Sequence, residues 1–164
     1  MSKIAVIFGA TGQDGSYLAE HLLDKGYKVI GICRRSSSYN KERIDHLIPM
    51  FTSRNRNIAV AEYDFTLQEG DITDPSSVNN IIEEYQPDYI YGTAAQSHVA
   101  TSFEQPSLTF QVNTIGVLNI LEGIRHIKPD VRFLQYSSSE QFGNNGYMDE
   151  NNNIWQNEDT PFKP

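Results

Sequence analysis

Residues 9–15 read GATGQDG, directly after the apolar run Ile4–Phe8 (IAVIF) and directly before a segment of helical spacing. A strand that turns on three spaced glycines into a helix constrains a fold more than any other feature of this chain. Gly9 permits the tight turn, Gly12 lets the backbone approach a pyrophosphate, and Gly15 lets the helix pack closely on the strand. The helix start offers N–H groups and a partial positive charge to an anion.

The rest of the chain repeats the alternation. Tyr17, Leu18, His21 and Leu22 share one face of a helix over residues 14–25, which Gly26 stops. Residues 29–33 form the second strand. Residues 41–48 read as a short helix before Pro49, and residues 58–71 as another extended run. Asp74-Pro75 starts a helix that runs to about Tyr85, with the aspartate capping and proline in the first turn. Strands follow at residues 88–93 and 131–136, the second with the look of a buried strand. Between them a long helix over residues 107–127 carries Leu108, Val112, Ile115, Leu118, Leu121 and Ile124 on one side. This order predicts an α/β fold, a Rossmann-like doubly wound parallel sheet with helices on both faces. Residues 1–143 make the dinucleotide-binding domain, and residues 144–164, rich in Asn and polar, read as loop.

At 164 residues the chain is one domain by length. Its net charge of −8 argues against nonspecific binding to nucleic acid or an anionic membrane, so neither is an expected partner. The single cysteine, Cys33, excludes an internal disulfide and reads as a small buried hydrophobe. The start MSKIAVIFGATG is apolar too briefly for a signal peptide or span, and a cytoplasmic protein without a metal site is expected.

At the end of the second strand a NAD-preferring site carries an acid, whereas this chain has Arg34, Arg35 and Ser36. A guanidinium pairs with a 2′-phosphate that an acid would repel, which favours NADP. A solvated basic loop, or a contact with another subunit, is the alternative. Asp71, in GDITDP, could approach the adenine or serve only the turn. The stretch SSSEQFG at residues 137–143 presents hydroxyls and a carboxylate where a strand ends, the side of an α/β sheet that carries chemistry.

The glycine spacing resembles that of extended short-chain dehydrogenases/reductases. GATGQDGSYLAEHLLDKGYKV, RRSSSYNKERIDH, GDITD, AAQSHVATSFE, SSSEQFG and EDTPFKP resemble successive landmarks of the GDP-mannose 4,6-dehydratase family, over the whole chain and about the first half of such an enzyme. The resemblance implies that Gly9, Thr11, Gly12, Gln13, Asp14, Gly15, Arg35, Ser36, Asp71, Ile72, Ala94, Ala95, Gln96 and Ser97 bind NADP. It implies that Ser138 and Glu140 are the catalytic Thr-x-Glu pair, and that Ser102 and Glu104 border the sugar site. The implied reaction turns GDP-mannose into GDP-4-keto-6-deoxymannose. Hydride leaves sugar C4 for NADP, a glutamate takes the C5 proton, water leaves C6, and the hydride returns to C6.

The chain departs from that pattern at several places. Ser138 replaces threonine, Leu108 and Phe142 replace tyrosines, and Thr93-Ala94 replaces Leu-Gly. Residues 49–68 are longer than the family's and suggest a loop insertion. The superfamily's Tyr-x-x-x-Lys pair does the proton transfer at C4, yet no tyrosine of this sequence has a lysine four residues on. The fold is therefore expected to stop before that helix and the substrate-binding part. The chain alone is expected to be inactive, exposing apolar faces that invite a homo-oligomer or a complementing C-terminal half. A noncatalytic NADP-binding module or partner subunit, and a related sugar-nucleotide epimerase or reductase, are the alternatives. Glu140 weighs against both.

Overall fold

The computed structural model describes residues 2–48 and 64–164. Five parallel strands make one sheet in the order β3-β2-β1-β4-β5. They are β1 (Ile4–Phe8), β2 (Lys28–Cys33), β3 (Phe65–Glu69), β4 (Tyr89–Gly92) and β5 (Arg132–Gln135). Strand β1 is central, pairing Phe8 with Ile32 on one side and with Gly92 on the other. Its residues Ala5 to Phe8 are fully buried, because helices cover both faces and an unbroken apolar run suits both.

Helix α1 (Gln13–Asp24) brings Ala19, Leu22 and Leu23 onto the face of Ala5, Ile7 and Val29. Helix α2 (Pro75–Tyr85) brings Val78, Ile81 and Ile82 onto the opposite face, against Val6, Phe8, Ile30 and Ile32. It starts as the sequence predicts. Asp74 accepts a bond from the Ser76 N–H at 2.9 Å, and Pro75 opens the helix. The doubly wound parallel sheet is therefore as expected. The structure corrects four details.

The helix expected at residues 41–48 is only a 3-10 turn, Asp45–Leu47. Ile44 and Leu47 still plug the α1 side of the core, and His46 Nε2 of the turn lies 2.9 Å from Glu20 Oε1 of α1. Of the extended run at residues 58–71, only Phe65–Glu69 is seen as strand; residues 58–63, and most of the suggested insertion at 49–68, lie outside the described residues.

The long helix is continuous but not uniform. Preceded by a separate short helix, α3 (Val99–Glu104), which ends at the non-helical Gln105, it runs as α4 (Pro106–Phe110), a π-helical turn (Gln111–Ile115) and α5 (Gly116–Ile127). Leu108, Leu118 and Leu121, expected inside, are 40%, 48% and 45% exposed, whereas Val112 and Ile124 pack on the core as expected, half-buried, beside the buried Gly116, Ile120 and Gly123. The cause is steric. Gly116 packs on Ile72 and Gly123 on Asn79 and Ile82, so the helix turns its small residues to the sheet and α2.

Strand β5 is an edge, not a buried strand. Leu134 is 53% exposed, because among the described residues no helix covers the α1-side face where Tyr89, Tyr91, Arg132 and Leu134 lie. Residues 144–164 are not all loop: β6 (Tyr147–Met148) and β7 (Ile154–Trp155) form an antiparallel hairpin with Tyr147 and Trp155 in ring contact at 5.0 Å.

Candidate dinucleotide cleft

The loops leaving β1, β2, β3 and β4 at their carboxyl ends converge on one cleft of about 540 Å³. The chain goes from β1 to β2 on one side, and later from β3 to β4 on the other, so the cleft opens where strand order reverses.

Its floor is the glycine turn. Gly9 has φ +94°, and a Cβ there would lie 2.6 Å from Ala94 N, so only glycine lets the β1 and β4 loops meet. The turn is tied to β2 by bonds from Gly9 N and Ala10 N to the Ile32 carbonyl (3.0 and 3.3 Å). A Cβ on Gly15 would run into the Gly9 carbonyl, which explains the third glycine as close helix packing. Gly12 caps α1 with no side-chain bond, so no side chain occupies the first-turn N–H groups. This is a cradle that side chains would fill, and its open N–H groups fit a pyrophosphate.

Of the residues expected to bind cofactor, Gly9, Thr11 and Gly12, then Asp71 and Ile72, then Ala94, Ala95, Gln96 and Ser97 line the cleft. Gln13, Asp14 and Gly15 lie just beyond it in the first turn of α1, the first two exposed. Asp71 Oδ1 accepts from Thr73 N (2.9 Å) and Thr73 Oγ1 (2.8 Å), so its carboxylate serves the turn while also facing the cleft.

The double arginine divides. Arg34 lines the cleft and also an adjoining hollow of about 250 Å³, whose walls include Ser36, Ser37, Ser38 and Lys41. Arg35 is exposed and lines neither. Glu69 supplies one carboxylate to the hollow. At its rim Tyr39 donates to Asp45 in a short bond, which pushes the phenol up to about 12. Cys33 is buried as expected, and that burial pushes its thiol up.

Ser138 and Glu140 follow β5, next to β4 at the same carboxyl edge, but neither lines the cleft. Ser138 Oγ accepts from the Glu140 N–H at 3.2 Å and so caps the 3-10 turn Ser139–Phe142; both residues are exposed. Ser102 and Glu104 are on α3, where Ser102 Oγ donates to the Val99 carbonyl at 2.6 Å. From this helix it is Thr101 that reaches the lining, with His98 at the helix start. Neither was singled out from sequence, nor were Asn40 and Lys41. All four nonetheless lie in stretches that carry the resemblance, His98 and Thr101 in AAQSHVATSFE and Asn40 and Lys41 in RRSSSYNKERIDH.

A parallel sheet in this order, with a glycine turn at its switch point, defines a Rossmann-like α/β domain. A family model for GDP-mannose 4,6 dehydratase matches residues 6–164, and the chain belongs to that family. The GDP-mannose 4,6-dehydratase of Vibrio cholerae serotype O1 is 46% identical over 164 residues, covering 99% of this chain and 40% of the relative. That of Yersinia enterocolitica is 48% identical, covering 99% and 41%. The chain thus spans about two fifths of the length of these relatives. Among solved structures, the Bordetella bronchiseptica enzyme WbmH in complex with NAD+ is 25% identical with a TM-score of 0.69, over 100% of this chain and 47% of that one. The Thermotoga maritima UDP-glucose 4-epimerase with UDP-glucose is 27% identical at a TM-score of 0.67, over 88% and 41%.

Proposed function

We propose that this chain is the NADP-binding, N-terminal portion of a GDP-mannose 4,6-dehydratase, a lyase acting on a nucleotide sugar in the cytoplasm. The observation that carries the reading is the cleft itself. A glycine turn that only glycine allows joins the walls from β3 and β4 at the switch point, in a chain of that family. Among the described residues no helix is long and apolar enough to cross a membrane.

When bound, NADP would supply a hydride acceptor and donor. The chain's own part is to bind and orient. The turn at Gly9, Thr11 and Gly12 and the first N–H groups of α1 would hold the pyrophosphate. Ala94 to Ser97 would flank the nicotinamide half, and Ile72 with Asp71 the adenine. Arg34, with Ser36 and Lys41 around the hollow, is suited to a 2′-phosphate, and Arg35 stands close enough in sequence to assist. Glu140 would take the C5 proton and Ser138 would hold the C4 oxygen, the Ser138 hydroxyl first giving up its cap on Glu140 N–H. Ser102 and Glu104 would border the sugar.

No Tyr-x-x-x-Lys occurs in the 164 residues, so proton transfer at C4 falls to groups this chain does not carry. That observation favours a second reading of the chain by itself, a dinucleotide-binding module without turnover. In either reading GDP-mannose is not converted by the chain alone, and a complementing C-terminal half distinguishes the two by restoring turnover only in the first.

A fluorescence titration with NADPH, with NADH as comparator, tests the shared premise. Saturable binding that prefers NADPH is expected. Arg34→Ala should weaken NADPH roughly tenfold or more and leave NADH little changed, since a charge-assisted bond contributes about 1.5–3 kcal/mol. Binding of neither dinucleotide would overturn the reading.

A further inference from the structure

The hollow beside the cleft is not uniformly basic. Arg34 and Lys41 bring two cations to it, and Glu69 brings the one carboxylate among its lining residues. Glu69 is the last residue of β3, and the sheet sets it directly beside Cys33, the residue before Arg34. Gly70 N–H donates to the Cys33 carbonyl at 2.9 Å, so the ends of β2 and β3 are fastened together where the two side chains leave the sheet. Burial raises the Cys33 thiol most; Lys41 then lowers it and Glu69 raises it, so both charges stand near one sulfur.

The facing wall is also held in place. The Lys41 carbonyl accepts from Ile44 N–H at 2.9 Å, and Ile44 is fully buried, so Lys41 springs from an anchored turn. Ser36 Oγ accepts from Ser38 N–H at 3.1 Å, which leaves its own proton for a ligand oxygen. Among the described residues no hydrogen bond or ion pair engages the Glu69 carboxylate or the Arg34 guanidinium. The acid does not neutralise the arginine; both line the hollow.

A 2′-phosphate and a 2′-hydroxyl require opposite things of such a wall. The phosphate carries acceptor oxygens and about −1.5 to −2 charge at neutral pH, which cations attract and a carboxylate repels. The hydroxyl carries a proton, which a carboxylate accepts. Cations alone would favour the phosphate without opposition, and the acid at the end of β3 opposes it.

We propose that Glu69 is a specificity-determining residue, which accepts the adenosine ribose hydroxyls and limits the preference for a 2′-phosphorylated dinucleotide that Arg34 and Lys41 create. The inference rests on the NADP reading above. It adds a residue of opposite sign, on a different strand from the acid that NAD-preferring sites carry after β2.

Glu69→Gln keeps the shape of the side chain and removes its charge, at an exposed position that the fold does not depend on. The readout is the NADH dissociation constant divided by that of NADPH, a ratio in which any loss of folded protein cancels. The ratio should rise about tenfold in Glu69→Gln, as NADPH tightens and NADH weakens. Glu69→Asp keeps the charge and should stay close to the parent ratio. Calorimetry with adenosine 2′,5′-bisphosphate against adenosine 5′-monophosphate should show the same rise, because the two differ only in the 2′-phosphate. A rise confined to the dinucleotides overturns the assignment to the 2′ position. An unchanged ratio overturns the proposal, and a lowered one overturns it in favour of a carboxylate that holds the cations in place for the phosphate. A parent chain that binds neither dinucleotide overturns the NADP reading, and this proposal with it.

Discussion

Gly9 shows how one residue can decide a site. Its positive φ and its approach to Ala94 are separate constraints, and an added methyl violates both. Gly9→Ala should destabilise the chain by about 1–3 kcal/mol, as expected for a side chain forced into that backbone region. A lowered urea midpoint would register this, together with loss of NADPH binding as the β4 loop is displaced. Such a residue is legible in sequence because the constraint belongs to the turn. The arginine pair was not legible in the same way. Both side chains can carry the same charge, and only the path of the chain after β2 turns Arg34, and not Arg35, into the cleft and hollow.

Elements divide along similar lines. Helix α2 starts where Asp74-Pro75 predicts, since capping is a local matter of one side chain and one N–H. The buried side of α5 was misread, because Gly116 and Gly123 have no hydropathy yet allow the closest packing. Two substitutions separate the stripes. Ile120→Ala should cost about 2–5 kcal/mol as a cavity in the core, and Leu121→Ala should stay within about 0.5 kcal/mol as a surface change. Thermal or urea unfolding of the pair would check this; equal losses would restore the stripe read from sequence. The hairpin of β6 and β7 offers a second case, since strands of two residues leave almost no pattern. Asp149 closes it, accepting from the N–H groups of Asn151 and Asn153 (both 2.8 Å) and from Asn153 Nδ2 (3.0 Å). Those bonds, led by the Asn153 side chain, hold the Asp149 carboxyl below its ordinary value. A depressed folded-state pKa means the contribution is complete above the unfolded value, roughly pH 4, and is lost as pH falls through the folded one. Trp155, the chain's one tryptophan, lies in this hairpin and reports it directly. Its emission should change on acidification below roughly pH 4, and Asp149→Asn should remove that transition while leaving other carboxylates to titrate.

For the whole molecule, the open question is what the uncovered surfaces meet. Leu134 and Tyr136 lie at or beyond the β5 edge of the sheet, and Phe103 on α3, Phe110 on α4, and Leu118 and Leu121 on α5 stand out from the surface. An unpaired parallel edge beside apolar side chains is prone to association. Sedimentation velocity should show the chain associating as concentration rises, with dye binding typical of exposed apolar surface. Leu134→Lys should reduce both. A monomer at all concentrations, with no dye bound, would contradict this account of the sheet edge.

The sequence by itself determined the alternation of strands and helices, the sheet's parallel sense, the glycine turn and the family. Each rests on short-range rules: side-chain period, capping, and φ permitted only to glycine. Tertiary structure alone decided which arginine enters the cleft, which side of α5 is buried, that β5 is an edge, and that Glu69 shares the hollow with Arg34. These depend on how segments distant in the chain approach one another, and on a π turn that no local propensity announces. Hydrophobic patterning says that a helix has an inside; only close packing against α2 and the sheet chooses it.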